Sequence, residues 1–136
     1  MTLQKKRILP LFLLLFTIFF YNNTISAQTN ITLSEATWNV HKASNREKIK
    51  LTVKLNKSGS YPVIFKIWKK GIGRNAKDRI FKVKKAYSNS KVTHTHWTYN
   101  YRNDSDRPLK MKPVFYFTAE IPGRTKPVRS NYVIIY

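Results

Sequence analysis

From Lys48 to Asn56 the chain reads KIKLTVKLN with strict alternation. Ile49, Leu51, Val53 and Leu55 fall on one side of an extended strand, and Lys48, Lys50, Thr52 and Lys54 on the other. A helix would scatter the same apolar residues around its circumference, so this segment is committed to a half-buried β-strand. Six more runs have strand character: ITLSEATWNV (31–40), YPVIFKIW (61–68), RIFKVKKAY (79–87), KVTHTHWTYNYR (91–102), KPVFYFTAEI (112–121) and SNYVIIY (130–136). Turn signals separate them, among them NKSGS and the Gly71 and Gly73 region. No segment after residue 27 has helical periodicity, and there is no repeat or low-complexity linker. Seven short strands in sequence predict a single all-β domain, an antiparallel sandwich.

The segment before the strands belongs to a different category. Lys5, Lys6 and Arg7 precede an uncharged run from Ile8 to Tyr21, and NNTISAQ follows. A basic start, a short apolar stretch and small residues at its end are the layout of a secretory signal. The run is short of the ~20 apolar residues that a spanning helix needs. The expected division is a signal peptide over 1–27, cut after Ala27 or one residue earlier, and a folded domain over 28–136. The mature chain then has no transmembrane segment and is secreted, periplasmic or held at the cell surface.

The whole chain has 26 basic and six acidic residues, and removing 1–27 takes three bases and no acid, leaving 23 against six, or +17. Cysteine is absent, so an exported fold of this size must hold together by its core alone. It has the material to do so, since its Val, Ile, Phe, Tyr and Trp content sets it apart from disordered basic tails.

Trp38 in the first run, EKIKLTVKLNKSG followed by VIFKIWKKG, a later HWTYNY, then FYFTAEI and a closing SNYVIIY resemble the immunoglobulin-like domains of bacterial secreted and surface proteins. The resemblance extends from about Ile31 to Tyr136. It implies an immunoglobulin-like β-sandwich and a noncatalytic binding or spacer role. It carries no ligand residues, and the cysteine pair that joins the two sheets in antibody domains is absent.

Residues 65–85, FKIWKKGIGRNAKDRIFKVKK, contain nine Lys or Arg and one Asp. Read as a hairpin with Phe65, Ile67, Phe81 and Val83 inward, they place Lys66, Trp68, Lys70, Lys82 and Lys84 on one outer face, with Arg74 and Lys77 in the loop. Single lysines solvate sheets and guard edges. A one-signed face repels itself across strands, however, and calls for an acidic partner. The expected ligand site is therefore Lys66, Trp68, Lys70, Arg74, Lys77, Lys82 and Lys84. The expected partner is an acidic glycan, a surface polymer or extracellular nucleic acid. Trp68 either stacks on a sugar or base, or packs beneath a neighbouring loop. The competing expectation is an adaptor that docks a protein partner by strand pairing, with SNYVIIY or ITLSEATWNV as the open edge.

His94 and His96 share a strand face and could hold a metal if His41 or a carboxylate joined them. As partly exposed histidines beside threonines they need no metal, and none is expected. NDSD (103–106) has alternating oxygen donors but lacks the rest of a calcium loop, and reads as a turn. The six acids form no paired-carboxylate pattern, GIGR is followed by no GK[ST], and no serine sits in a nucleophile motif. No enzyme and no cofactor are expected.

Overall fold

The computed structural model describes residues 30–105 and 111–136; the expected signal peptide lies outside the described residues. The strands are β1 (Leu33–Trp38), β2 (Lys42–Ala43), β3 (Lys48–Leu55), β4 (Pro62–Lys69), β5 (Arg79–Tyr87), β6 (Val92–Thr98), β7 (Val114–Glu120), β8 (Val128–Arg129) and β9 (Val133–Ile135). One 3-10 turn, Tyr101–Asn103, follows β6. Three strands in the order β1-β3-β6 form one sheet. The other runs β2-β9-β7-β4-β5, with β8 paired beside β7. Every pairing is antiparallel except β2 with β9. The chain is an all-β sandwich, and each of the seven expected runs contains a strand. No helix among the described residues is long and apolar enough to cross a membrane.

The core follows from the alternation. Ile49, Leu51 and Val53 on β3 and Val63, Phe65 and Ile67 on β4 are fully buried and face each other across the sheets. Aromatic rings fill the middle: Trp38 meets Phe117 edge-on at 5.0 Å, and Trp97 meets Phe115 edge-on at 4.9 Å. The Trp38 indole N–H, which burial would otherwise leave unpaired, donates to the Asn131 carbonyl at 3.0 Å.

Three local features depart from the expected strands. The run 91–102 ends as a strand at Thr98, because Asn100 caps a 3-10 turn by accepting from the Arg102 amide. The run 130–136 is paired only from Val133. Ser130 is buried there, its hydroxyl accepting the Phe117 amide at 2.8 Å, so a side chain stands in for a strand bond between β8 and β9. Since β9 lies between β2 and β7, SNYVIIY is an internal strand and not an open edge. Among the described residues the edges are β1 and β6 of one sheet and β2, β5 and the short β8 of the other.

The third departure is in β5. Ile67 lies opposite Lys82 and Trp68 opposite Ile80, so Phe81 is an extra residue, a β-bulge. Phe81 turns inward, 5.3 Å from Phe115 and 5.9 Å from Trp97. Beyond the bulge the alternation changes phase. Lys82 and Lys84 lie opposite the inward residues Ile67 and Phe65, while Val83 lies opposite the outward Lys66 and is 52% exposed. Val83 is therefore not a core residue, and Lys82 and Lys84 are not on the outer face with Lys66 and Trp68.

Candidate anion-binding cleft

The site begins with a buried carboxylate. Along β4 the inward series Val63, Phe65 and Ile67 continues to Lys69, which is also buried. A lysine there needs a partner, and the turn after β6 supplies Asp104. Its carboxylate accepts from Lys69 Nζ at 2.5 Å, from the Tyr99 hydroxyl at 2.8 Å and from Arg79 at 3.3 Å. Burial works to raise the Asp104 pKa. The hydrogen bonds from Lys69 and Tyr99, with the charges of Lys69 and Arg79, hold it below the ordinary carboxylate value. This cluster ties the ends of β4 and β5 to the turn that leaves β6.

Between β5 and β6, above that cluster, an open cleft of about 630 Å³ is lined by Lys48, Arg79, Lys82, Lys84 and His96. Asn100, Asn103 and Ser105 add polar groups at one end, and Phe81 and Trp97 form the apolar floor. Among the described residues β5 pairs only with β4, and β6 only with β3, so the cleft lies where both sheets end. Edge placement explains how an inward-phased lysine can exist: Lys84 and Lys82 stand at the rim of the sandwich, and the Lys84 ammonium donates to the His96 carbonyl.

No described carboxylate lines this cleft. Glu35 pairs with Lys54 at 2.6 Å and Glu120 with Lys66 at 3.2 Å. Glu47 accepts the Ser44 amide. Asp78 accepts the Gly71 amide and the Tyr116 hydroxyl, and Asp104 is buried in its own cluster. Among the described residues the cleft lining is therefore basic, with Asp104 beneath it offsetting Arg79. His96 registers that field. Partial desolvation first, and then Lys48, His94, Lys50 and Lys84, hold its pKa below the usual histidine value.

The expected site residues divide into three groups. Lys82 and Lys84 line the cleft. Arg74 and Lys77 are exposed in the loop after β4. That loop is tight, since a Cβ at Gly71 would lie 2.6 Å from the Ala76 carbonyl. Lys66, Trp68 and Lys70 belong to the opposite, outer face. There the Trp68 indole N–H donates to Thr118 at 3.0 Å and its ring stacks on Tyr116, while Lys70 lies 4.8 Å over the Tyr132 ring. Arg129 covers Tyr116 at 3.9 Å. Trp68 thus packs, half-buried, within an aromatic cluster on that face.

His94 and His96 do share a face, with ring centroids 5.9 Å apart. Their neighbours on β3 are Thr52 and Lys50, and no described group of three His, Cys, Asp or Glu is placed to hold a metal ion. Lys48, Arg79, His96 and the polar turn were not among the expected ligand residues. The outward phase of Lys48 was visible in the sequence, but its nearness to β5 was not.

No family model matches the sequence, and no curated protein matches it. Among solved structures the sandwich is structurally like part of the sporulation control protein Spo0M of Bacillus subtilis, with 9% identity and a TM-score of 0.47 over 78% of this chain and 49% of that one. It is also similar to part of the alkylpurine DNA glycosylase AlkC of Pseudomonas fluorescens, solved with DNA containing an abasic site analog (10% identity, TM-score 0.41, 78% of this chain, 30% of that one). A third likeness is to part of a β-glucosidase from Listeria innocua (8% identity, TM-score 0.38, 78% of this chain, 16% of that one). The chain spans about half of Spo0M and smaller parts of the other two.

Proposed function

We propose that this chain is an exported, noncatalytic binding module with an immunoglobulin-like sandwich, and that it holds an acidic chain polymer in the cleft between β5 and β6. The observation that carries this reading is a cleft with four Lys or Arg side chains and a histidine and no described carboxylate in its lining. A cleft whose described lining is basic, with low-dielectric walls, focuses its field outward and raises the local concentration of anions. The immunoglobulin-like reading is supported by the strand order, two mostly antiparallel sheets between which the chain crosses repeatedly. Export is supported by the leader pattern of residues 1–27. Outside a cell the fitting ligands share closely spaced phosphate, sulfate or carboxylate groups, as in acidic glycans, surface polymers and extracellular nucleic acid.

Paired lysine replacements test the reading. Lys82→Gln with Lys84→Gln is expected to release the protein from immobilised heparin at distinctly lower salt than Lys57→Gln with Lys126→Gln, although both remove two charges. Equal shifts would mean that net charge alone causes retention, and the cleft would not be the site.

A further inference from the structure

The cleft has a second property that charge does not explain. Its β5 wall is a nine-residue edge strand whose second side has no strand partner among the described residues. On the outer face of this strand Val83 and Tyr87 are 52% and 61% exposed. On the cleft face stand Lys82 and Lys84. An open edge is a template for another strand, and exposed apolar residues on it raise that tendency. A second copy of β5 is a poor occupant. Arg79, Lys82, Lys84 and Lys85 lie on it with no acid, so self-pairing sets like charges against each other. The complementary occupant carries acids on one face and apolar residues on the other.

Resting on the anion-binding reading above, we infer that the ligand of this cleft is an extended acidic polypeptide segment that adds to the β5 edge as a further strand. Because residues directly opposite in a ladder share a face, Asp or Glu at alternate positions would meet Lys82 and Lys84, with His96 and Lys48 across the cleft. The intervening apolar residues would cover Val83 and Tyr87. The lysines then act as a selective guard: they oppose pairing with neutral or basic strands, including this chain's own, and admit an acidic one. The bulge at Phe81 confines regular pairing to the stretch after it, Lys82 to Tyr87.

The probe is a capped peptide of about eight residues, a usual strand length, in which Glu alternates with Val and Thr. Its control has the same sequence with alternate backbone amides N-methylated, which keeps the charge and removes strand hydrogen bonding. The parent peptide is expected to bind, and the methylated one to bind at least about tenfold more weakly, the effect of losing two or three backbone hydrogen bonds. Lys82→Glu with Lys84→Glu, both on the cleft face, is expected to abolish binding and to admit the peptide with Lys in place of Glu. Equal affinity of the methylated and parent peptides would overturn strand addition. So would binding of heparin fragments with no binding of either peptide, although the anion-binding reading would then stand. If neither peptide nor heparin responds to Lys82→Gln with Lys84→Gln, both readings fall.

Discussion

β4 and β5 are the two strands of one basic hairpin, and they differ in what meets their charges. On β4, Lys66 pairs with Glu120 and Lys69 is buried against Asp104, so the strand's cations are used to hold the sheet together. On β5, Arg79 shares Asp104, Lys84 reaches a carbonyl, and Lys82 faces a cleft that no described acid enters. β4 is flanked on both sides by strands, whereas β5 is an edge. A run of lysines therefore says little by itself. Its position relative to the end of a sheet decides whether the charge is consumed by the fold or offered to a ligand.

The largest effect should come from breaking the β4 side. Asp104→Ala leaves the Lys69 ammonium buried without its carboxylate, and the expected loss is roughly 3–5 kcal/mol in denaturant unfolding. A loss under about 1 kcal/mol, the range of exposed pairs, would show that Lys69 escapes to water. The same carboxyl sets an acid limit. Its folded pKa is depressed, so its contribution is fully present above the unfolded value near 3.8 and is lost as pH falls through the lower folded value. Asp104→Asn should flatten stability over that acid range.

Trp68→Ala comes next. Loss of the Thr118 hydrogen bond and the Tyr116 stack is expected to cost about 1–3 kcal/mol, with the affinity of the cleft for acidic ligands unchanged. Lost affinity at unchanged stability would instead return Trp68 to a binding site. Smaller in stability but sharper as a comparison is Lys66→Gln beside Lys82→Gln. Both should shift stability by under about 1 kcal/mol. Only Lys82→Gln should weaken binding and lower its salt dependence.

Much of this was legible beforehand. The inward faces of β3 and β4 follow from their alternation, and the two-sheet architecture from seven such runs. The break came at Phe81. A single inserted residue reverses the phase of everything after it, and a sequence that alternates Phe81, Lys82, Val83 and Lys84 gives no sign of a bulge. That insertion carried Lys82 and Lys84 from the face of Lys66 to the cleft. Lys69 was readable as inward from the same series as Phe65 and Ile67. Its partner Asp104 was not, because it is 35 residues away in a stretch that reads as an ordinary turn. Nothing in the sequence marked the meeting of Lys48 and His96 with β5 either.

The smallest expected effect is a pH dependence. Partial desolvation, then Lys48 and Lys50 from β3, His94 on β6 itself and Lys84 from β5, disfavour protonation of His96. In the free domain this slightly lowers stability as pH falls below the unfolded histidine value of 6.5, because the unfolded chain takes up the proton more readily. An anion in the cleft reverses the field and favours the proton. Binding should therefore tighten as pH falls from about 7.5 to 5.5, around the histidine pKa. His96→Gln should reduce that slope, whereas a slope unchanged by His96→Gln would assign it to the ligand.

The most direct measurement is a nitrogen–proton correlation spectrum of the isotope-labelled domain titrated with an acidic ligand, read residue by residue. The predicted result is saturable shifts confined to Lys48, to β5 from Arg79 to Tyr87, to His96–Thr98 and to the Asn100–Ser105 turn. Thr118, Tyr132 and the Trp68 indole on the opposite face should remain still. Shifts centred on Lys66, Trp68, Lys70 and Tyr132, or spread evenly over every lysine-bearing surface, would contradict the assignment of binding to the cleft.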